Sequence, residues 1–183
     1  MHQNIEVEIR GLLTKECYDR IIKFLDAEGQ NKELDDRKTT FFIIPEKTLK
    51  ITQKVSQNKA KICLKTGDIA KASSQTEFEI DIEPSQFAVA ENIFLQLGYT
   101  QIQHTEQKRI NYVYEGVEFA IKWSVDFGYH FEMEVMVGAE SEVASARDIL
   151  HSLAARLDLQ VMSSDEFGAR CREIDLRYEL KSA

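Results

Sequence analysis

Proline is nearly absent from this chain of 183 residues, with two in all, and glycine occurs only eight times. No Pro/Gly-rich linker or low-complexity stretch therefore divides it, and one domain over residues 1–183 is the expectation. Cysteine is equally sparse. Cys17, Cys63 and Cys171 are odd in number, widely spaced and lack a C-x-x-C, which argues against a disulfide framework and for a reducing compartment. No apolar run reaches the roughly 18 residues that a transmembrane helix needs, and the start lacks a basic-then-apolar signal pattern, so a cytoplasmic protein is expected. Basic residues are in deficit. Twenty-three Lys and Arg face 31 Asp and Glu, and the net charge of −8 disfavours nucleic acid and membrane surfaces as partners. A local basic cluster could still hold a small anion. What remains is ordinary for a globular domain with a sizeable core: 43% hydrophobic and 30% charged residues.

Against that background one pattern stands out. Glu6-Val7-Glu8-Ile9-Arg10 alternates charge with aliphatic residues, and the same alternation returns in Glu77-Phe78-Glu79-Ile80-Asp81-Ile82 and Phe131-Glu132-Met133-Glu134-Val135. Side chains in a strand alternate faces, so each segment carries a Glu-x-Glu pair opposite an apolar face. Carboxylates so close repel one another unless water, basic groups or divalent metals neutralise them.

The rest of the chain sorts into short elements. Thr14 is a suitable N-cap for a helix whose Tyr18, Ile21, Ile22 and Leu25 follow helical spacing up to Gly29. Extended segments follow at 39–44, stopped by Pro45, at 48–52 and at 60–65, with a turn at Ser56-Gln57-Asn58 and a loop at 67–74. After strand 76–82, Pro84-Ser85 starts a helix with Phe87, Ala90, Ile93, Phe94 and Leu97 on one stripe, closed by Gly98. Strands are expected at 109–114, 117–125 and 129–137, with a turn at Glu115-Gly116. A helix through Val143, Ala146, Ile149, Leu150 and Leu153 follows, then a polar one over 165–180. This order predicts an α+β fold with a mostly antiparallel sheet of about eight strands.

The strand faces separate by charge. One register holds Glu6, Glu8, Arg10; Lys50, Thr52, Lys54; Lys59, Lys61, Cys63, Lys65; Glu77, Glu79, Asp81; Gln107, Arg109, Asn111; Glu118, Ala120, Lys122; and Glu132, Glu134. The other is apolar, and an amphipathic helix could cover it. Two readings stay open: the charged face is the solvated side of an open sheet, or the sheet curls into a barrel and the face becomes a wet lumen. A lumen with opposed acids and bases suits a polyanion bound with Mg²⁺ or Mn²⁺.

Glu6-x-Glu8-x-Arg10 resembles the E-x-E-x-K signature of the CYTH superfamily, the triphosphate tunnel metalloenzymes, which include class IV adenylate cyclases, thiamine triphosphatases and inorganic triphosphatases. The likeness extends in order over roughly residues 4–180. Leu49-Lys50-Ile51-Thr52 sits at an L-R-x-R strand, Lys65 at a tunnel lysine, Gln75-x-Glu77-x-Glu79 at R-x-E-x-E, and Lys108-Arg109 in the K-x-R region. Phe127-Gly128-x-x-Phe131-Glu132-x-Glu134 looks like the closing F-G-x-F-x-E-x-E strand. The resemblance implies a closed eight-stranded antiparallel barrel with helices outside it. It also implies a small-molecule triphosphate (nucleotide, thiamine or inorganic) as ligand and Mg²⁺ or Mn²⁺ as cofactor. Glu6, Glu8, Glu132 and Glu134 would hold the metal, with Arg10, Lys50, Lys65 and Arg109 on the phosphates and Glu77 and Glu79 in support; Glu6, Glu8 and Arg10 would be catalytic. An enzyme that hydrolyses the triphosphate, or cyclises ATP, is the expectation.

The chain also departs from the pattern. Arg10 replaces the signature lysine and offers a planar fork. Thr52 and Gln75 stand where arginines are usual, and Gln107 where a lysine is. Lys122 occupies a position usually held by an acidic metal ligand, and Asp126, four residues and about 13 Å along a strand, is too far to replace it. These changes predict binding ahead of fast turnover, and they motivate an alternative: a weakened tunnel protein serving as a phosphate-ligand binding or regulatory module. His130, Glu132 and Glu134 share a strand face that could take a transition metal, although a rim histidine is the simpler reading. Cys63 faces the proposed lumen without an identifiable histidine partner. Tyr112, Tyr114 and Trp123 read as core, and the last helix as a solvated face. Exposed aromatics leave room for a homodimer.

Overall fold

The computed structural model describes residues 5–44, 47–66, 76–100 and 102–182. The expected loop at 67–74, Pro45 and Gln75 lie outside them. Nine strands and four α-helices run in the order β1 (Ile5–Leu12), α1 (Lys15–Glu28), β2 (Gln30–Leu34), β3 (Arg37–Ile44), β4 (Lys47–Lys54), β5 (Lys59–Thr66), β6 (Thr76–Ile82), α2 (Phe87–Gln96), β7 (Ile102–Tyr114), β8 (Val117–Ser124), β9 (Gly128–Val137), α3 (Val143–Arg156) and α4 (Ser164–Ser182). None of the described helices is long and apolar enough to cross a membrane. The chain forms two compact units.

The first unit comprises Met1–Leu34 and Lys108–Met162. Its strands run β1-β9-β8-β7, with β2 also on β7. β1 pairs antiparallel with β9, and β9 with β8. The period-two pattern sends Val7 and Ile9 of β1, Phe119 and Ile121 of β8, and Phe131 and Met133 of β9 into one core. Ile21 and Leu25 of α1 and Leu150 and Leu153 of α3 pack against them. Thr14 caps α1 as expected, its hydroxyl accepting from the Cys17 amide at 3.1 Å, and the Gly29 amide closes the helix on the Leu25 carbonyl at 2.9 Å. Both central residues of the β7–β8 hairpin, Glu115 and Gly116, have positive φ (50° and 76°), the conformation of a tight two-residue turn that follows the strand twist. Gly11 is required for another reason. A Cβ there would strike the Gln160 carbonyl and come within 2.7 Å of Phe131 Cε1.

The second unit comprises Asp35–Gln107 and Ser163–Ala183. Its path is β7-β3-β4-β5-β6, all antiparallel. Phe42, Leu49 and Ile51 form its core with Ala90 of α2, and Phe87 and Phe94 pack against it. Asp35 is fully buried and pairs with Arg37 and, at 3.7 Å, with Lys54. The Tyr178 hydroxyl of α4 donates to the His104 carbonyl at 3.3 Å.

Four expectations need correction. Among the described residues there are nine strands, not eight, and the pairing path ends at β1 and at β6 without joining them, so the closed barrel is not what the pairings form. β2 was not foreseen because all five of its residues are exposed and carry no apolar alternation. Phe78 and Ile80 of β6 remain 59% and 61% exposed where a covered face was expected. The buried stripe of α2 is also narrower than predicted: Ala90, Phe87 and Phe94 face the core while Ile93 and Leu97 lie in solvent.

Candidate metal and phosphate site

The polar face of the first unit follows from its register. Glu8 of β1, Glu134 of β9 and Glu118 of β8 lie directly opposite one another in one row. Arg10, Glu132 and Ala120 form the next row, and His130 faces Lys122 beyond it. Like charges directly opposite are unfavourable in a sheet. This row concentrates three of them.

Glu6, Glu8 and Glu134 each bring one carboxylate oxygen to within 4.8 Å of the other two. Among the described residues they are the one group of three or more acidic, His or Cys side chains close enough to hold a metal ion. Oxygens on opposite sides of an octahedral Mg²⁺ are about 4.2 Å apart, so small side-chain movements would bring the three into one coordination shell. A second observation points the same way. Glu8 Oε1 is buried without a hydrogen-bond partner, and Arg10 Nη2, 2.8 Å away, forms an ion pair with it lacking hydrogen-bond geometry. An all-carboxylate donor set with a buried oxygen that accepts no hydrogen bond fits a hard divalent cation such as Mg²⁺ or Mn²⁺.

The neighbouring cations compensate these groups only in part. Burial pushes the Glu8 carboxyl above its ordinary range, with Glu6 and Glu134 adding to the shift, against the lowering effect of Arg10 and Lys122. Glu134 is raised as well, by burial first and then by Glu6 and Glu118, with Arg109 and Lys122 opposing. Both carboxyls would release protons more readily if a cation took its place among them.

Glu132 is placed differently from the other three expected metal ligands. Its Oε2 is bonded by the Lys122 ammonium, and Arg109 Nη1 lies 3.6 Å from the same oxygen. Lys122 is 3% exposed. Ala120, the residue opposite Glu132 on β8, is small enough to leave room for the Lys122 side chain to reach across. Arg109 is itself held by Asn111, whose Oδ1 accepts from Nε at 2.7 Å. His130 turns Nδ1 to the Gly128 carbonyl at 2.9 Å. Burial, aided by Lys122, pushes the His130 pKa down to about 4, so the ring is neutral at pH 7.

Thus Glu6, Glu8, Arg10, Arg109, Glu132 and Glu134 all fall in the first unit, on the sheet formed by β1, β9, β8 and β7. Lys50, Lys65, Glu77 and Glu79 fall in the second. There Lys50 lies opposite Cys63, and Lys65 opposite Glu77. Glu79 pairs with Lys61. Cys63 is fully buried and His-free in its strand pairings, which suits packing better than nucleophilic chemistry. The role of Lys122 as the partner of Glu132 had no signal in the sequence beyond its unexpected charge.

A CYTH domain model matches residues 4–166 of the chain. The chain belongs to the CYTH family. No curated protein sequence matches it. Among solved structures, a conserved hypothetical protein from Pyrococcus furiosus is similar at 21% identity and TM-score 0.68, covering 86% of this chain and 94% of that one. A candidate adenylate cyclase from Vibrio parahaemolyticus is similar at 16% identity and TM-score 0.61, covering 88% and 91%. A candidate adenylyl cyclase from Hippeastrum, described as having a dominant triphosphatase activity, is similar at 14% identity and TM-score 0.59, covering 87% and 90%. At these identities the likeness concerns the fold.

Proposed function

We propose that this CYTH protein binds a triphosphate together with one divalent cation, Mg²⁺ or Mn²⁺, and hydrolyses it. The observation that carries this reading is the convergence of Glu6, Glu8 and Glu134 beside Arg10 on one face of a sheet. When bound, a divalent cation there supplies Lewis-acid stabilisation of the charge that develops on the phosphoryl oxygens. The chain's own residues do the rest. Glu6, Glu8 and Glu134 hold the cation. Arg10 presents a planar fork of donors to phosphate oxygens once Glu8 turns to the cation, and Arg109, 14% exposed at its side chain, adds a second guanidinium. Glu132 orients Arg109 and Lys122 through its Oε2. Lys50 and Lys65 are further phosphate-binding proposals that rest on the family resemblance.

A second reading has its own support. With a lysine buried on the polar face, the protein could bind the ligand without efficient turnover and act as a phosphate-ligand sensor. The two readings separate in one assay series. Purified protein is incubated with inorganic triphosphate, ATP and thiamine triphosphate, with and without Mn²⁺, beside an E6A/E8A control. Metal-dependent phosphate release that the control loses supports hydrolysis, and cyclic AMP from ATP would redirect it to cyclisation. Tight binding without turnover supports the sensor. Neither binding nor turnover would sink both.

A further inference from the structure

Lys122 is the least expected group on the polar face of the first unit. It is almost completely buried, and a buried ammonium persists only where its charge is matched. Its match is Glu132 Oε2, which also faces Arg109 at 3.6 Å. Arg10, the cross-strand neighbour of Glu132 on β1, instead directs its guanidinium at Glu8. Glu132 is therefore in ion-pair contact with two cations of the protein, while in the neighbouring trio of Glu6, Glu8 and Glu134 it is Glu8 that forms an ion pair with Arg10.

The charge balance of the whole face points the same way. Among the described residues its carboxylates, Glu6, Glu8, Glu33, Glu118, Glu132 and Glu134, outnumber its cations, Arg10, Arg109 and Lys122. His130 faces Lys122 as a neutral ring. The face is therefore short of positive charge, as a site for a cation requires. Without the Lys122 charge the deficit deepens, and Glu132 has lost its closest partner.

We propose that Lys122 is a resident cation that takes the place of a metal ion at Glu132, confining metal binding in the native chain to Glu6, Glu8 and Glu134. The chain would then work with one divalent ion where a neutral residue at position 122 would admit one more. This inference deepens the proposed metal site and names Lys122 as the positioning residue that sets its stoichiometry.

The test is the number of Mn²⁺ ions bound per chain, read by isothermal titration and by the loss of the free-ion EPR signal, with folding checked by circular dichroism. The proposal expects one ion in the wild type, two in K122M, one again in K122M/E132Q, and one in K122R, which keeps the charge. A folded K122M that gains no ion overturns it, and so does a wild type that already binds two; either result leaves the proposed metal site standing. If the wild type binds none while K122M gains one, the metal site proposed for Glu6, Glu8 and Glu134 fails and the role of Lys122 holds. Should K122M not fold, E132Q decides alone. It keeps the wild-type ion at saturation if Glu132 is no ligand, and loss of that ion overturns the proposal.

Discussion

Replacing Glu134 by Gln should make the metal-free protein more stable, at the cost of its metal site. Glu134 lies directly opposite both Glu8 and Glu118, and its carboxylate oxygen is within 4.8 Å of those of Glu8 and Glu6. At that distance and an effective dielectric near 20, one pair of like charges costs about 3.5 kcal/mol. Glu6 is exposed, and Arg10, Arg109 and Lys122 are close, so screening reduces the net penalty to about 1–2 kcal/mol. For a domain of this size that corresponds to a rise of about 2–8 °C in melting temperature. The pH dependence identifies the cause. The folded-state pKa of Glu134 is raised above its ordinary 4.5, so the native protein holds this proton more firmly than the unfolded chain does. Native stability is then lost as pH rises from 4.5 through the raised value, and the advantage of E134Q should be absent well below pH 4.5 and larger at pH 7. Thermal melts with EDTA at both pH values measure it, and the same melts with Mn²⁺ should stabilise the wild type and leave E134Q unmoved. A variant that is less stable than the wild type at pH 7 in EDTA, or that gains as much from Mn²⁺, would refute the electrostatic reasoning.

Three further outcomes are expected, two from single contacts and one from the proposed phosphate lysines. G11A should destabilise the protein by about 3 kcal/mol or more in urea unfolding, because its new methyl meets the Gln160 carbonyl and Phe131 in a packed core; a loss under 1 kcal/mol would contradict the close approach. Y112F removes the hydroxyl that donates to Asp26 Oδ1 at 2.8 Å, and because Asp26 is 41% exposed and also held by Lys32 the cost should stay near 1 kcal/mol. K50M and K65M, if these lysines bind phosphates, should each raise the KM for inorganic triphosphate about tenfold with a smaller effect on Mn²⁺ affinity, which titration calorimetry reads separately; an unchanged KM would remove that residue from the phosphate set.

The sequence was most informative where its period was strict. Alternation in β1, β8 and β9 placed Val7, Ile9, Phe119, Ile121, Phe131 and Met133 in the core and Glu6, Glu8 and Glu134 together on the opposite face, because a strand offers two directions and burial selects one. It was silent on β2, whose exposed polar residues have no hydrophobic pattern and are held by pairing to β7. It misjudged Phe78, Ile80, Ile93 and Leu97, since apolar spacing shows that a face could be buried and not that something covers it. The site divides in the same way. The Glu-x-Glu pairs were visible as motifs, yet the motif treats Glu132 and Glu134 alike. Only the cross-strand register and the reach of Lys122 past Ala120 separate them, and those depend on which strands become neighbours.

The central claim is that Glu6, Glu8 and Glu134 together hold a divalent cation. Crystals grown with Mn²⁺ and measured for anomalous scattering test it most directly. A single strong peak ligated by carboxylate oxygens of these three residues, with Glu132 still on Lys122, is the predicted result; a peak ligated by Glu132, or Mn²⁺ bound elsewhere with the trio left bare, would contradict it.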